Sequence, residues 1–158
     1  MEITIRPAGA EQAPLIAALT KALLEEIMAV TGARHFVFDA AAAAGHFRDF
    51  LGHGGYAAYL ARQGDQPVGF VTLSETRALY AGGVFGIVTE LYVLPELRSQ
   101  GIGERLLEAA RSHGRQAGWV RLEVTTPPLP EFDRALRFYQ AHGFEIAGGR
   151  KLKSVLTP

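Results

Sequence analysis

Val88-Thr-Glu-Leu-Tyr-Val-Leu-Pro-Glu-Leu-Arg-Ser-Gln-Gly-Ile-Gly-Glu-Arg-Leu-Leu107 is the stretch that decides the fold. It reads as an apolar strand, a loop broken by Pro95, a glycine pair, and then an amphipathic helix. A glycine-rich loop that opens a helix is a ready anion site. The first backbone N–H groups of a helix have no intrahelical partner, and the helix dipole adds roughly half a positive charge there. Gly101 and Gly103 let the backbone approach a phosphate without a side chain in the way. The loop therefore points to a phosphorylated cofactor.

Three phosphate loops compete for this stretch. A Walker A loop needs a Lys-Ser/Thr pair after its last glycine, whereas Glu104-Arg105 follows Gly103 here. A dinucleotide fingerprint needs a third glycine and a tight exit from its strand. Gly101-Ile-Gly103-Glu-Arg-Leu106 lacks that glycine, and Pro95 intervenes, although Glu123 lies at about the distance of a ribose-binding acid. The third pattern, Arg/Gln-x-x-Gly-x-Gly, is matched by Arg98-Ser-Gln100-Gly101-Ile-Gly103.

With that loop the chain resembles the GCN5-related N-acetyltransferases, the GNAT superfamily. Leu91-Tyr92-Val93-Leu94-Pro95 resembles the family's strand ahead of the loop. Ala135-Leu-Arg-Phe-Tyr139-Gln-Ala-His-Gly143-Phe144 resembles its late helix, and Ile3-Thr-Ile-Arg6-Pro7 its opening strand. The resemblance runs from about residue 3 to residue 155.

The composition bounds the rest. A chain of 158 residues predicts one domain, residues 1–158, and 48% hydrophobic residues suffice for one core. Sixteen basic and sixteen acidic side chains balance, which argues against a general nucleic-acid or membrane-surface binder. No apolar run approaches a membrane span, and Glu2 in a strand-like start argues against a secretion signal, so a cytoplasmic protein is expected. The absence of cysteine excludes disulfides, thiolate metal sites and an acyl-cysteine intermediate. His35, His46, His53, His113 and His142 lack ligand spacing, so no metal is expected.

The periodicity predicts strands over Ile3–Arg6, Tyr56–Arg62, Pro67–Ser74, Val84–Val93 and Leu122–Val124. Helices are predicted over Ala13–Val30, from the Asp39 cap to about Leu51, over Ile102–Ala117, and through Phe132, Ala135, Leu136 and Tyr139 to a stop at Gly143. Two more strands, about Phe144–Ala147 and Lys151–Leu156, close the chain. The order β-α-α-β-β-β-α-β-α-β-β indicates an α/β fold with a mixed sheet, as the resemblance also implies.

The resemblance implies acetyl-CoA as co-substrate, its pyrophosphate held by Arg98, Ser99, Gln100, Gly101, Ile102, Gly103 and Glu104, with charge added by Arg98. It also implies that the strand before the loop splays from its neighbour. Leu91, Tyr92 and Val93 then offer backbone groups to the pantetheine arm and the thioester carbonyl. Direct transfer needs a neutral amine, hence a base. Glu90, a carboxylate among apolar strand residues, is the first candidate, and Glu123 or a water chain the alternatives. Tyr139 matches the family tyrosine that protonates the leaving thiolate, though it also falls on an apolar helix face. The family often has an asparagine seven residues earlier; here Phe132 stands there, leaving that contact to Thr125 or Thr126.

Acceptor recognition is expected from Met28 to Asp39, with Arg34 and His35, from Gly148 to Lys153, and from Tyr80-Ala-Gly-Gly83. The expected acceptor is a primary amine on a small molecule, with a protein N-terminus or lysine as alternative. A non-catalytic acyl-CoA sensor is the rival class. A homodimer is compatible with the resemblance.

Overall fold

The computed structural model describes residues 2–33 and 37–158, in two compact units, Met1–Thr125 and Thr126–Pro158. Arg34 and His35 lie outside the described residues.

The first unit runs β1 (Ile3–Pro7), α1 (Ala13–Thr31), α2 (Ala40–His53), β2 (Tyr56–Gln63), β3 (Gln66–Ala78), β4 (Gly83–Val93), α3 (Ile102–Ala117) and β5 (Leu122–Val124). The strands form one sheet in the order β1-β2-β3-β4-β5. The first three pairings are antiparallel and β4–β5 is parallel, which makes the sheet mixed. Local chemistry sets the helix ends. The Asp39 carboxylate accepts the Ala42 N–H at 3.0 Å and caps α2. Gly32, at φ 73°, and Gly118, at φ 76°, stop α1 and α3 in the left-handed conformation.

The sheet buries both faces. Ile16, Leu19, Phe47, Leu60, Phe70 and Tyr92 form a core with α1 and α2. Val71, Leu73, Val88, Ile102, Leu106 and Ala110 form another under α3. β3 is longer than its apolar run predicts, because Glu75 to Ala78 continue the ladder opposite β4 as far as Gly83.

One irregularity in β4 positions the site. Thr72 pairs with Glu90, but the next β3 residue, Leu73, pairs with Val88, so Thr89 is an extra, bulged residue. Side chains alternate between sheet faces, and one extra residue reverses the alternation. Val88, Leu91 and Val93 therefore all pack in the core under α3, while Glu90 and Tyr92 fall on the face of α1 and α2. Without the bulge, Glu90 and Val88 would share a face.

The second unit holds α4 (Asp133–Ala141). Gly143, at φ 91°, turns the chain back, and the Phe144 N–H reaches the Tyr139 carbonyl at 3.0 Å. The Phe144 ring meets the Tyr139 ring edge-on at 5.5 Å between centroids. This six-to-one hydrogen bond with its apolar contact is a Schellman cap, and it explains the Tyr-x-x-x-Gly-Phe spacing locally. The two closing strands expected over 144–147 and 151–156 are not formed, so the element order ends at α4. Gly148 and Gly149 both take positive φ, at 89° and 77°. Ile146, Leu152, Val155 and Leu156 remain largely exposed. Their alternation is a strand signal that no burial repays here.

Candidate active site

β4 has strand neighbours on both sides only as far as Val88. Its ladder with β5 comprises Gly86↔Leu122, Ile87↔Glu123 and Val88↔Val124, whereas its ladder with β3 continues to Val93. Thr89 to Val93, including Leu91, Tyr92 and Val93, thus belong to a strand segment paired on one side among the described strands. The β4–β5 ladder ends with β5 itself, at Val124.

Glu90 stands at this point. Thr72, the one fully buried polar side chain among the described residues, closes a small ring with it. The Thr72 hydroxyl donates to Glu90 Oε1 in a short hydrogen bond and accepts the Glu90 N–H at 3.0 Å. Burial pushes the Glu90 carboxyl above the usual carboxylate range, and the Thr72 hydrogen bond partly opposes that. A raised carboxyl is suited to taking a proton near neutral pH. Burial likewise raises the Tyr56 phenol to about 12, with the Glu90 charge adding to the shift and a Thr72 hydrogen bond opposing it.

A cavity of about 270 Å³ opens on Glu90. Phe50, His53 and Gly54 from the end of α2, Tyr56 from β2, Ser74 from β3 and Thr89 complete its lining. The Ser74 and Thr89 hydroxyls are hydrogen bonded at 3.0 Å. Sequence reasoning missed Phe50, His53 and Tyr56. Only the Tyr56↔Ser74 register and the return of α2 over the sheet bring them to Glu90. Glu123, the alternative base, is not in this lining; its carboxylate takes two hydrogen bonds from Arg121, at 2.6 and 3.0 Å. Tyr80 lies instead against Arg121, whose guanidinium carbon is 5.3 Å from its ring centre.

The loop ahead of α3 tests the fit to acetyl-CoA. Gly101 is the N-cap at φ 83°, makes no side-chain cap, and has nothing within 4 Å of where a Cβ would stand. Ser99 holds a left-handed φ of 64°, an uncommon conformation for a residue with a side chain. The Ile102 and Gly103 amides belong to a first helical turn, where no carbonyl one turn back can take them. An uncapped, sterically open helix start of this kind fits a pyrophosphate.

Arg98, expected to add charge at the pyrophosphate, has partners of its own in this structure. Its Nε donates to the Val93 carbonyl at 2.9 Å, one of its terminal nitrogens meets Glu26 of α1 at 2.8 Å, and its guanidinium carbon lies 5.4 Å from the Tyr92 ring centre. It fastens the end of β4 to α1, with its charge balanced by Glu26. Tyr139 is buried in the second unit, and burial raises its phenol to about 12. It therefore keeps its proton at neutral pH. Among the described residues, no cluster of three histidines, aspartates or glutamates could hold a metal ion, and no helix is long and apolar enough to cross a membrane.

Known proteins of similar sequence and shape agree with this geometry. The family model described as acetyltransferase (GNAT) domain matches residues 54–146, which include Glu90, β4, the loop and Tyr139, but not Phe50 and His53 of the cavity lining. An aminoalkylphosphonate N-acetyltransferase of Salmonella typhimurium is 34% identical over 96 residues. That match covers 61% of this chain and 61% of the relative, so it spans less than two thirds of either. An integron cassette protein from the mobile metagenome of Cole Harbour Salt Marsh superposes with a TM-score of 0.79 at 25% identity, over 98% of this chain and 91% of that one. The aminoglycoside N-acetyltransferase AAC(6')-Iy in complex with CoA shares the fold, with a TM-score of 0.78 at 18% identity, over 98% and 95% of the two chains. The chain belongs to the GNAT acetyltransferase family.

Proposed function

We propose that the protein is an acetyl-CoA-dependent N-acetyltransferase that works as one domain and moves the acetyl group directly to a primary amine on a small molecule. The observation that carries this reading is the cavity opening on Glu90 where β4 loses its second strand neighbour. Family membership gives the donor, and the open Gly101 helix start supports a pyrophosphate site there.

Acetyl-CoA, when bound, supplies an activated acyl thioester. Backbone groups of Leu91 to Val93 hold the donor alongside β4, and an N–H there stabilises charge developing on the carbonyl oxygen. Glu90, aided by its raised proton affinity, takes the proton that the incoming ammonium must lose, directly or through one water. Tyr139, protonated at working pH, gives its proton to the departing sulfur. The C–N bond forms as the C–S bond breaks; the nitrogen loses its second proton to solvent as the amide forms, solvent returns a proton to the phenol, and Glu90 releases the one it took.

The test is thiol release from acetyl-CoA across amines, amino acids, aminoglycosides, polyamines and peptides. The protein has no cysteine and adds no thiol background. Acceptor-dependent release with a small amine supports the reading, and release with peptides alone shifts it to a protein N-acetyltransferase. Tight acetyl-CoA binding without release for any amine favours the sensor.

A further inference from the structure

The cavity beside Glu90 has a chemistry of its own. Among its described lining residues there is one carboxylate, Glu90, and no arginine or lysine. The His53 Nδ1 lies 2.7 Å from the Asp49 carbonyl, which can only accept, so that nitrogen donates within its own helix. Ser74 and Thr89 add two hydroxyls already bonded to each other. Phosphonate or carboxylate recognition relies on fixed positive charge, preferably a bidentate arginine. Among the described residues this lining has none, and Glu90 would repel a second anion.

The wall is aromatic. Phe50 is 49% exposed, a large apolar side chain left at the cavity. Its ring meets Tyr56 edge-on at 5.2 Å between centroids, and Tyr56 meets Phe47 at 6.0 Å, so the corner is braced before any ligand arrives. Ring faces attract cations, and the hydrophobic effect favours covering Phe50 with an apolar body. The volume, about 270 Å³, lies just below the roughly 300–1,000 Å³ of ligand pockets, which suits a compact ligand.

Building on the acetyltransferase reading, we infer that the acceptor is a compact primary amine with an uncharged aryl or alkyl body and no anionic group, and that Phe50 and Tyr56 select that body. This departs from the substrates named for the relatives: an aminoalkylphosphonate brings an anion, and an aminoglycoside is bulky and strongly polar.

The test compares 2-phenylethylamine, ethylamine, 2-aminoethylphosphonate and kanamycin on the wild type and on Phe50→Ala, by thiol release and by calorimetric binding. 2-Phenylethylamine should exceed 2-aminoethylphosphonate and kanamycin in kcat/KM by about tenfold or more, with Phe50→Ala removing most of its advantage over ethylamine and leaving acetyl-CoA binding unchanged. A preference for 2-aminoethylphosphonate or kanamycin overturns the inference while leaving the acetyltransferase reading intact. So does an aryl preference that survives Phe50→Ala. Release with none of the four, nor with the wider panel, overturns the acetyltransferase reading. Calorimetry then decides the cavity separately: 2-phenylethylamine binding that weakens in Phe50→Ala upholds it, and no binding overturns it.

Discussion

Burying the Glu90 carboxyl disfavours its charged form, and that cost is the mark of its proposed task. Its proton affinity is higher folded than unfolded, so the folded chain binds the extra proton. The sign follows: its contribution to stability is fully present below the ordinary carboxylate range and is lost as pH rises through the raised folded value. Glu90→Gln should therefore leave the protein at least as stable as wild type at pH 7, with the variant's advantage absent at pH 3, both read by urea denaturation. The same change should lower kcat/KM for an amine by about 10²–10³-fold and abolish the acid limb of its pH profile, with acetyl-CoA binding retained. Thr72→Val removes the hydrogen bond that holds the Glu90 value down, so the acid limb should move to higher pH. It also leaves the Glu90 N–H without its acceptor, at a cost of about 1–3 kcal/mol in unfolding free energy. An unshifted limb would show that the group titrating in kcat/KM is not Glu90.

At the scale of elements, the periodic parts were legible. α3 begins and ends where Gly101 and Gly118 predict, and β5 is the expected three residues. Glu90, the loop and Tyr139 also carry local signals. What the chain conceals is pairing. Thr89 looks like any strand residue, and only the β3 register exposes it as a bulge. Nothing near Arg98 in the sequence announces Glu26, which α1 brings to it from 72 positions away. The expected closing strands show the converse, a local pattern without a partner. A Cβ on Gly86 would run into the Trp119 ring, which is anchored by its Nε1 donating to Glu75 at 2.7 Å. Gly86→Ala should cost about 1–3 kcal/mol, read from the urea midpoint at constant m-value. Arg98 and Glu26 should couple by up to about 1 kcal/mol in a double-mutant cycle of unfolding without acetyl-CoA. Zero coupling together with much weaker acetyl-CoA binding in Arg98→Ala would return Arg98 to the phosphate.

Across the whole molecule, the two proposed proton carriers belong to different compact units, Glu90 to Met1–Thr125 and Tyr139 to Thr126–Pro158. Tyr139 has two explanations available, because the same residue anchors the C-cap of α4 through its carbonyl and its ring. Only the hydroxyl separates them. The cap uses the backbone carbonyl and the apolar ring edge, both of which phenylalanine keeps. Proton donation uses the phenol, which burial holds protonated up to about 12. Its proton affinity is raised on folding, so its share of stability is intact below the ordinary tyrosine range and disappears only as pH climbs through about 12. Tyr139→Phe should therefore leave the thermal midpoint near wild type at pH 7 while kcat falls by about tenfold to hundredfold, with the amine KM unchanged. The deficit should shrink for acyl donors with a more acidic leaving thiol, which need less help from a donor. Wild-type kcat in Tyr139→Phe would reduce Tyr139 to the helix cap and leave the sulfur to be protonated by solvent.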